Sequence, residues 1–161
     1  MTFNSGNNSF PVWSPDGRLI AFGSDREGRH NLYQKVTSGA AQEEVLDNAA
    51  RISNVPVDWS RDGRYVIEII ADPKTNLDLW VLPLFGDHKP FPYLQTEFNE
   101  VDGRLSPNGR WLAYQSDETS RPEIYVQTFP TPGSKLQVSI DSGWSPVWSR
   151  DGKELFFIGA D

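Results

Sequence analysis

The stretch Trp13-Ser14-Pro15-Asp16-Gly17-Arg18 decides the fold of this chain, because the sequence returns to the same pattern three more times. The other copies are Trp59-Ser60-Arg61-Asp62-Gly63-Arg64, Leu105-Ser106-Pro107-Asn108-Gly109-Arg110 and Trp148-Ser149-Arg150-Asp151-Gly152-Lys153. Their glycines are separated by 46, 46 and 43 residues. A period of roughly 40 to 50 residues is typical of four-stranded propeller blades, so the chain is interpreted as a repeat protein.

Each copy of the motif is predicted to be a tight turn between two strands. Pro15 presets φ for the second turn position, Asp16 suits the third, and Gly17 accepts a left-handed conformation. A run of β-branched and aromatic residues follows each glycine and a shorter run precedes it, which predicts an inner strand A and a strand B. The recurring tryptophans are expected to fill the core between blades. The structural motif residues are Trp13, Asp16, Gly17, Trp59, Asp62, Gly63, Asn108, Gly109, Trp148, Asp151 and Gly152.

Two further strands are predicted in each repeat. Strand C contains Tyr33, Trp80 or Tyr125, which lie 16 or 17 residues after the turn glycine. A weaker outer strand D is predicted at residues 44–46, 91–94 and 136–138. The pattern therefore predicts an all-β fold, a partial β-propeller of about three and a half four-stranded antiparallel blades.

The prediction places one propeller domain over residues 1–161, with blades at about 9–50, 53–97 and 99–140 and a half blade at 144–161. A propeller typically closes with four to eight blades, which hides the apolar faces of its first and last blades. We therefore expect closure by self-association, or truncation from a longer chain.

The composition narrows the possible partners. The formal net charge of −7 opposes the phosphate neutralisation on which nucleic-acid binding depends. The absence of cysteine removes disulfides, thiolate nucleophiles and zinc–thiolate sites. No apolar run is long enough to span a bilayer, no signal peptide is recognised, and no cofactor is predicted. The sequence leaves the cellular compartment open.

The repeats resemble the TolB-type, WD-like propeller family, in which this turn is followed by an apolar strand and a Ser-Asp pair. Ser24-Asp25 and Ser116-Asp117 match that pair, whereas the second blade has Ala71-Asp72. Residues 123–157 most resemble propellers attached to bacterial serine/threonine kinases. That resemblance implies an extracytoplasmic or periplasmic sensing or scaffolding module. Similar propellers also precede the hydrolase domain of prolyl-oligopeptidase-like peptidases, where they gate access to a triad located elsewhere.

Charged and amide side chains on or just before strand A, together with the loops between strands B and C, are predicted to form one ligand-binding rim beside the channel. Because loops on rigid scaffolds often carry binding, these loops are candidates for recognition. Asp102 and Arg104 are interpreted as a local ion pair, and no metal site is predicted. The candidate rim residues are Asn54, Asp58, Glu100, Asp102, Arg104, Asp25, Asp72 and Asp117.

The sequence contains no recognisable catalytic constellation. It has no Gly-x-Ser-x-Gly elbow and no kinase phosphate loop, Asp-Phe-Gly or His-Arg-Asp motif. The favoured hypothesis is a non-catalytic binding or scaffold module for a protein, peptide or small ligand, with no nucleic acid and no membrane insertion. The alternatives are a channel-sited hydrolase or lyase, the gating propeller fragment of a prolyl-oligopeptidase-like peptidase, and a purely structural assembly unit.

Overall fold

The computed structural model describes residues 6–39, 42–47 and 53–160, and within them it contains fourteen β-strands. No helix that could cross a membrane is present in these residues. The strands are β1 (Asn8–Trp13), β2 (Leu19–Ser24), β3 (Asn31–Val36), β4 (Glu44–Asp47), β5 (Ser53–Trp59), β6 (Tyr65–Asp72), β7 (Asn76–Pro83), β8 (Phe91–Leu94), β9 (Glu100–Leu105), β10 (Trp111–Ser116), β11 (Glu123–Thr128), β12 (Lys135–Gln137), β13 (Gly143–Trp148) and β14 (Leu155–Gly159).

The strands form consecutive antiparallel meanders. β1-β2-β3-β4, β5-β6-β7-β8 and β9-β10-β11-β12 are three four-stranded sheets, and β13-β14 is a hairpin. Each meander is one blade, with its first strand innermost. The predicted fold class is confirmed: the chain is an all-β arc of about three and a half propeller blades.

The repeated motif forms the predicted turn between strands A and B. Gly17 has φ +69° and donates its N–H to the Ser14 carbonyl at 2.9 Å. The Ser14 hydroxyl accepts the Leu19 N–H at 2.9 Å and donates to Asp16 Oδ1 at 2.7 Å. In the third blade Asn108 supplies the same Oδ1 acceptor to Ser106. Asparagine can therefore replace aspartate, because the turn uses only one side-chain oxygen.

The innermost strands share a bulge seven residues before the turn glycine. Phe10, Asp102 and Ser145 occupy this position and have φ of +54°, +54° and +51°. In all four inner pairs the strand register shifts within the stretch from eight to five residues before the glycine. The second blade has Pro56 there, and its ring holds φ negative. The bulge is thus part of the repeat even where the left-handed conformation is absent.

The hydrophobic core lies between blades. Trp59, Val66 and Leu82 of the second blade pack with Ala21 and Leu32 of the first. A larger cluster joins the second and third blades. It contains Val57, Ile67, Leu79, Val81, Tyr93, Leu105, Leu112, Tyr114, Tyr125 and Phe129.

The two terminal blades carry exposed apolar side chains. Trp13 is 59% exposed, whereas the equivalent Trp59 is 7% exposed and Trp148 is half-buried. The prediction that the motif tryptophans fill an interblade core is therefore wrong for Trp13, because no described blade packs on the outer side of the first sheet. On the last hairpin, Phe156 is 57% and Ile158 is 62% exposed.

Candidate functional site

The candidate residues of strand A lie at three levels along the innermost strands. Asn54 and Glu100 are nine residues before their turn glycine, Asp102 is seven before, and Asp58 and Arg104 are five before. A strand rises about 3.3 Å per residue, so the first and last levels are roughly 13 Å apart. The strands are antiparallel, so the first level lies beside the loops between strands B and C and the last beside the motif turns.

The eight candidate residues therefore do not form one rim. Asp25, Asp72 and Asp117 lie at the loop end, and Asp58 and Arg104 lie at the opposite, turn end of the inner strands. The sequence prediction missed this division because it treated every polar residue on strand A as facing the same edge.

Asp25 and Asp117 each bind the residue that directly precedes the inner strand of their own blade. Asp25 accepts the backbone N–H of Asn7 at 2.7 Å and the Asn7 amide at 2.8 Å. Asp117 accepts the same two groups of Asn99 at 2.9 Å and 2.7 Å. The hydrogen bonds from Asn7 hold the pKa of Asp25 below its ordinary value. These carboxylates stabilise the blade, and their oxygens are engaged.

Asp72 has a different local role. Its Oδ1 accepts the backbone N–H of Lys74 at 2.8 Å and of Thr75 at 3.4 Å. The hydrogen bond from Lys74 is the main reason that the pKa of Asp72 is lowered. The second blade lacks the Ser-Asp arrangement of the first and third, so its aspartate caps the loop that follows it.

At the loop end, the junction between the first and second blades is organised by a buried amide. The Asn54 Nδ2 donates to Asp47 Oδ2 of the first blade and to Glu68 Oε2 of its own blade, each at 3.2 Å. The Asn54 backbone N–H donates to the His30 carbonyl at 3.1 Å. Asn54 therefore joins two carboxylates with the backbone of the neighbouring blade.

The junction between the second and third blades has Glu100 at the position of Asn54. One Glu100 oxygen accepts the Thr96 hydroxyl, and Asp78 Oδ2 accepts Thr75 Oγ1 at 2.7 Å and Gln95 Nε2 at 3.2 Å. Glu100 Oε2 and Asp78 Oδ1 are buried and have no hydrogen-bond partner among the described residues. Burial, with the charge of Asp78 as a smaller cause, raises the pKa of Glu100 to about 7. Burial also raises the pKa of Asp78.

The junction between the third blade and the last hairpin has a fully satisfied carboxylate. Glu123 accepts Arg121 Nε at 3.0 Å, the Ser142 backbone N–H at 3.1 Å and the Ser139 hydroxyl. The sequence prediction missed both Asp78 and Glu123. The signal was present, since each stands two residues before the aromatic residue of strand C.

At the turn end, Asp58 and Arg104 join the innermost strands of two blades. Asp58 Oδ2 accepts the Leu105 N–H at 2.6 Å, and Oδ1 accepts the Trp59 N–H at 2.9 Å. Arg104 Nη1 donates back to the Val57 carbonyl. The expected ion pair between Arg104 and Asp102 does not form. Instead, Asp102 Oδ2 lies 3.5 Å from the Ser145 hydroxyl of the last hairpin.

A polar cavity of about 240 Å³ opens beside this pair of residues. Its wall includes Asp58, Arg61, Arg104 and Trp148, from the second blade, the third blade and the last hairpin. Arg61 Nη1 donates to the Arg150 carbonyl at 2.9 Å, which links two motif turns. Burial raises the pKa of Asp58 even though backbone N–H groups and both arginines oppose the rise.

Arg61 and Trp148 were not among the sequence-predicted ligand-binding residues. The signal for Arg61 is its place in the motif, where the first and third copies have proline. Across the described ranges, no group of three or more His, Cys, Asp or Glu side chains is arranged to hold a metal ion.

Comparison with known sequences finds relatives that are longer than this chain, and no protein-family model matches. An uncharacterized protein of Agrobacterium fabrum is 23% identical over 98% of the chain and 42% of its own length. The uncharacterized peptidase YuxL of Bacillus subtilis is 31% identical over 72% of the chain and 24% of its own length. The chain thus spans less than half of the curated relatives it matches.

Comparison with solved structures identifies the fold. A TolB structure from Agrobacterium tumefaciens superposes with a TM-score of 0.86 and 20% identity, covering 100% of this chain and 57% of that one. TolB from Acinetobacter baumannii superposes with a TM-score of 0.81 and 19% identity, covering 96% and 38%. The chain therefore has the fold of a TolB-like β-propeller arc.

Proposed function

We propose that this chain is a non-catalytic binding and scaffold module, an arc of TolB-like blades that recognises a protein, peptide or small ligand. The observation that carries the proposal is the pair of exposed apolar faces on the two terminal blades. Contiguous exposed apolar surface on a folded domain marks an interaction site more often than it marks a neutral surface.

The first of these faces lies on the outer side of the first blade. Trp13 is more than half exposed there. Trp13 lines a cavity of about 290 Å³ whose wall also includes the apolar side chains of Pro11, Ile20 and Phe22. Inside the arc, the equivalent surface of the second blade is covered by the preceding blade, as Trp59 is by Leu32. The first face therefore suits a covering sheet of the same kind.

The second face lies on the last hairpin. Val147 is 54% exposed, and Phe156 and Ile158 are exposed to a similar degree. The outer edge of β14 has no partner strand within the described ranges, and an unpaired edge of this kind can accept another strand. We propose that both faces dock blades supplied by a second copy of this chain or by further residues of a longer polypeptide.

Light scattering at increasing protein concentration tests this docking. The chain is expected to exceed the mass of one copy, and Trp13→Arg and Phe156→Arg should each return it toward a single copy by placing a charge in the contact. The matched control is Leu77→Arg, which adds the same charge at an exposed apolar residue of β7 in the second blade, away from both terminal faces. A single-copy mass for the unmodified chain at every concentration, with cooperative unfolding, would contradict self-docking.

A second function is favoured by one observation, the 31% identity to a relative named as a peptidase. In this alternative the chain is the gating propeller of a prolyl-oligopeptidase-like enzyme, and the hydrolase domain lies elsewhere in the same polypeptide. Reaction of the full-length polypeptide with a fluorophosphonate probe for active serines separates the two functions. Labelling of the polypeptide by the probe would favour the peptidase function. Absence of labelling, under conditions in which a control serine hydrolase reacts, would rule that function out.

The cellular setting is a further part of the proposal. The likeness of residues 123–157 to kinase-attached propellers supports an extracytoplasmic scaffold beside a membrane kinase. Fusing a reporter to the natural full-length polypeptide and assaying its protease accessibility in intact cells tests this location. Protection of the reporter from external protease in cells with a permeable outer layer would contradict it.

A further inference from the structure

We propose that the cavity between Arg61 and Arg104 is a binding site for a carboxylate with a small apolar tail. This inference deepens the proposed binding function and rests on it, because it names a ligand class for one place on the arc. The site is at the turn end of the inner strands, and Val147 belongs both to its wall and to the second exposed face.

The two guanidinium groups are fixed at the cavity by the backbone. Arg61 Nη1 is held by the Arg150 carbonyl at 2.9 Å, and Arg104 Nη1 by the carbonyls of Val57 and Gly103. Neither arginine makes an ion pair with a described carboxylate. A guanidinium carries five N–H donors, so each group keeps donors for a ligand after these bonds are made. Anchoring one nitrogen limits the rotation of each group, which reduces the entropy lost on binding.

These two arginines differ from the basic side chains of this chain that are neutralised by a glutamate. Arg26, Arg121 and Lys135 each pair with a glutamate, as expected where acidic residues outnumber basic ones. Asp58 is the carboxylate in the cavity wall, but both of its oxygens already accept backbone N–H groups. Both arginines act electrostatically on Asp58, but their hydrogen bonds go to backbone carbonyls, so their remaining donors are available to an external anion.

The repeat pattern is broken at this cavity. Pro15 and Pro107 preset the backbone at the second turn position, whereas Arg61 and Arg150 at the same position do not. At the position of Arg104, the first blade and the last hairpin have Val12 and Val147. Neither arginine is required to form a blade, because other copies of the repeat form without one.

The cavity wall indicates the rest of the ligand. Trp59, Leu105, Val147 and Trp148 provide aromatic and aliphatic surface beside the guanidinium groups. A guanidinium matches the planar, two-oxygen geometry of a carboxylate. A volume of about 240 Å³ is below the range for drug-sized ligands, so it fits one amino-acid-sized group, such as the last residue of a peptide.

Titration with N-acetyl-leucine, monitored by tryptophan fluorescence and by two-dimensional NMR, tests the inference. The carboxylate probe is expected to bind saturably in the millimolar range or tighter, and N-acetyl-leucinamide is expected not to bind. Inorganic phosphate forms a third arm. Binding of phosphate as tight as that of the carboxylate, with no contribution from the apolar tail, would overturn the ligand class proposed here.

The decisive variant is Arg61→Gln, with Arg150→Gln as its matched control. Both remove one positive charge from the same motif position, but only the Arg61 side chain lines the cavity. Arg61→Gln is expected to weaken probe binding by about tenfold, as for loss of a charged hydrogen-bond donor, and Arg150→Gln should leave it unchanged. Equal effects of the two variants, or no saturable binding to the unmodified chain, would overturn the site.

The same samples are measured by light scattering, which separates this inference from the proposed function. Self-association that persists while no carboxylate binds would overturn the carboxylate site alone. Arg104→Lys provides a second variant that keeps the charge and the link to Val57 but loses the two-pronged donor geometry. It is expected to retain folding and to weaken probe binding.

Discussion

Trp59 and Trp13 occupy the same position of the same motif, yet one is buried and the other is exposed. The local turn around each is the same: its serine and aspartate make matching hydrogen bonds. The difference comes from the neighbour, since the first blade covers Trp59 and no described blade covers Trp13. The repeat therefore specifies how a blade folds, and the adjoining blade determines what that blade buries.

The largest effect is expected from removing the two tryptophan side chains separately. Trp59→Ala should lower the free energy of unfolding by about 3 to 5 kcal/mol, because it empties a filled interblade core. Trp13→Ala should lower it by less than about 1 kcal/mol in dilute protein, because the ring is already in solvent. Urea unfolding at low concentration measures both. Equal losses of unfolding free energy in the two variants would contradict the difference in burial between Trp13 and Trp59.

The next effect concerns Glu100, the charged equivalent of Asn54, which makes the stability of the junction between the second and third blades depend on pH. The pKa of Glu100 is raised from 4.5 to about 7, so the folded state binds more protons than the unfolded state between these values. The contribution of Glu100 to the free energy of unfolding should therefore be greatest below about pH 4.5. It should fall by about 3 kcal/mol or less as the pH rises toward 7. Asp78 and Lys135 are the charged groups that act on it.

Glu100→Gln checks this directly. The substitution should remove that part of the pH dependence and stabilise the protein above pH 7. Glu97→Gln, at an exposed position of the preceding loop, is the matched control and should change neither property. Unfolding curves across the pH range that superpose for Glu100→Gln and the unmodified chain would show that the buried carboxylate is not the source.

A smaller loss of stability is expected on removing the Asp117 carboxylate, which binds Asn99 at the start of the third blade. Asp117→Ala removes the acceptor for two donors of Asn99 and should lower the free energy of unfolding by about 1 to 2 kcal/mol. Hydrogen exchange at the Asn99 N–H should accelerate with it. Glu118→Ala, in the same loop, should leave exchange at Asn99 unchanged. An unaltered Asn99 rate in Asp117→Ala would count against this role of Asp117.

The smallest effect comes from the loops between strands B and C of the first and third blades. Gly28 and Ser120 are equivalent and both have left-handed backbones, with φ of +84° and +67°. Ser120→Gly should therefore stabilise the chain by about 0.5 to 1 kcal/mol, because glycine adopts this conformation without strain. Thr119→Gly is the control and should give no gain. Thermal unfolding measures both, and destabilisation by Ser120→Gly would contradict the equivalence.

The sequence was sufficient to predict the blades, because each depends on a local turn whose residues supply their own hydrogen-bond partners. It was not sufficient to predict the junctions. Glu100 is on strand A of one blade, and Asp78 is on strand C of another, so their meeting depends on how blades stack. The placement of Asp58 and Arg104 could have been found by aligning the repeats, because both lie five residues before the turn glycine.

The most direct test of the central claim is the solvent exposure of Trp13 and Trp59, measured by fluorine NMR on protein labelled with 5-fluorotryptophan. Trp13→Phe and Trp59→Phe assign the two signals, and the shift between H₂O and D₂O reports exposure. In dilute protein the account predicts a large solvent shift for Trp13 and a small one for Trp59, with the Trp13 shift decreasing as concentration rises. A solvent shift of the Trp13 signal as small as that of the Trp59 signal in the dilute single chain would contradict the account.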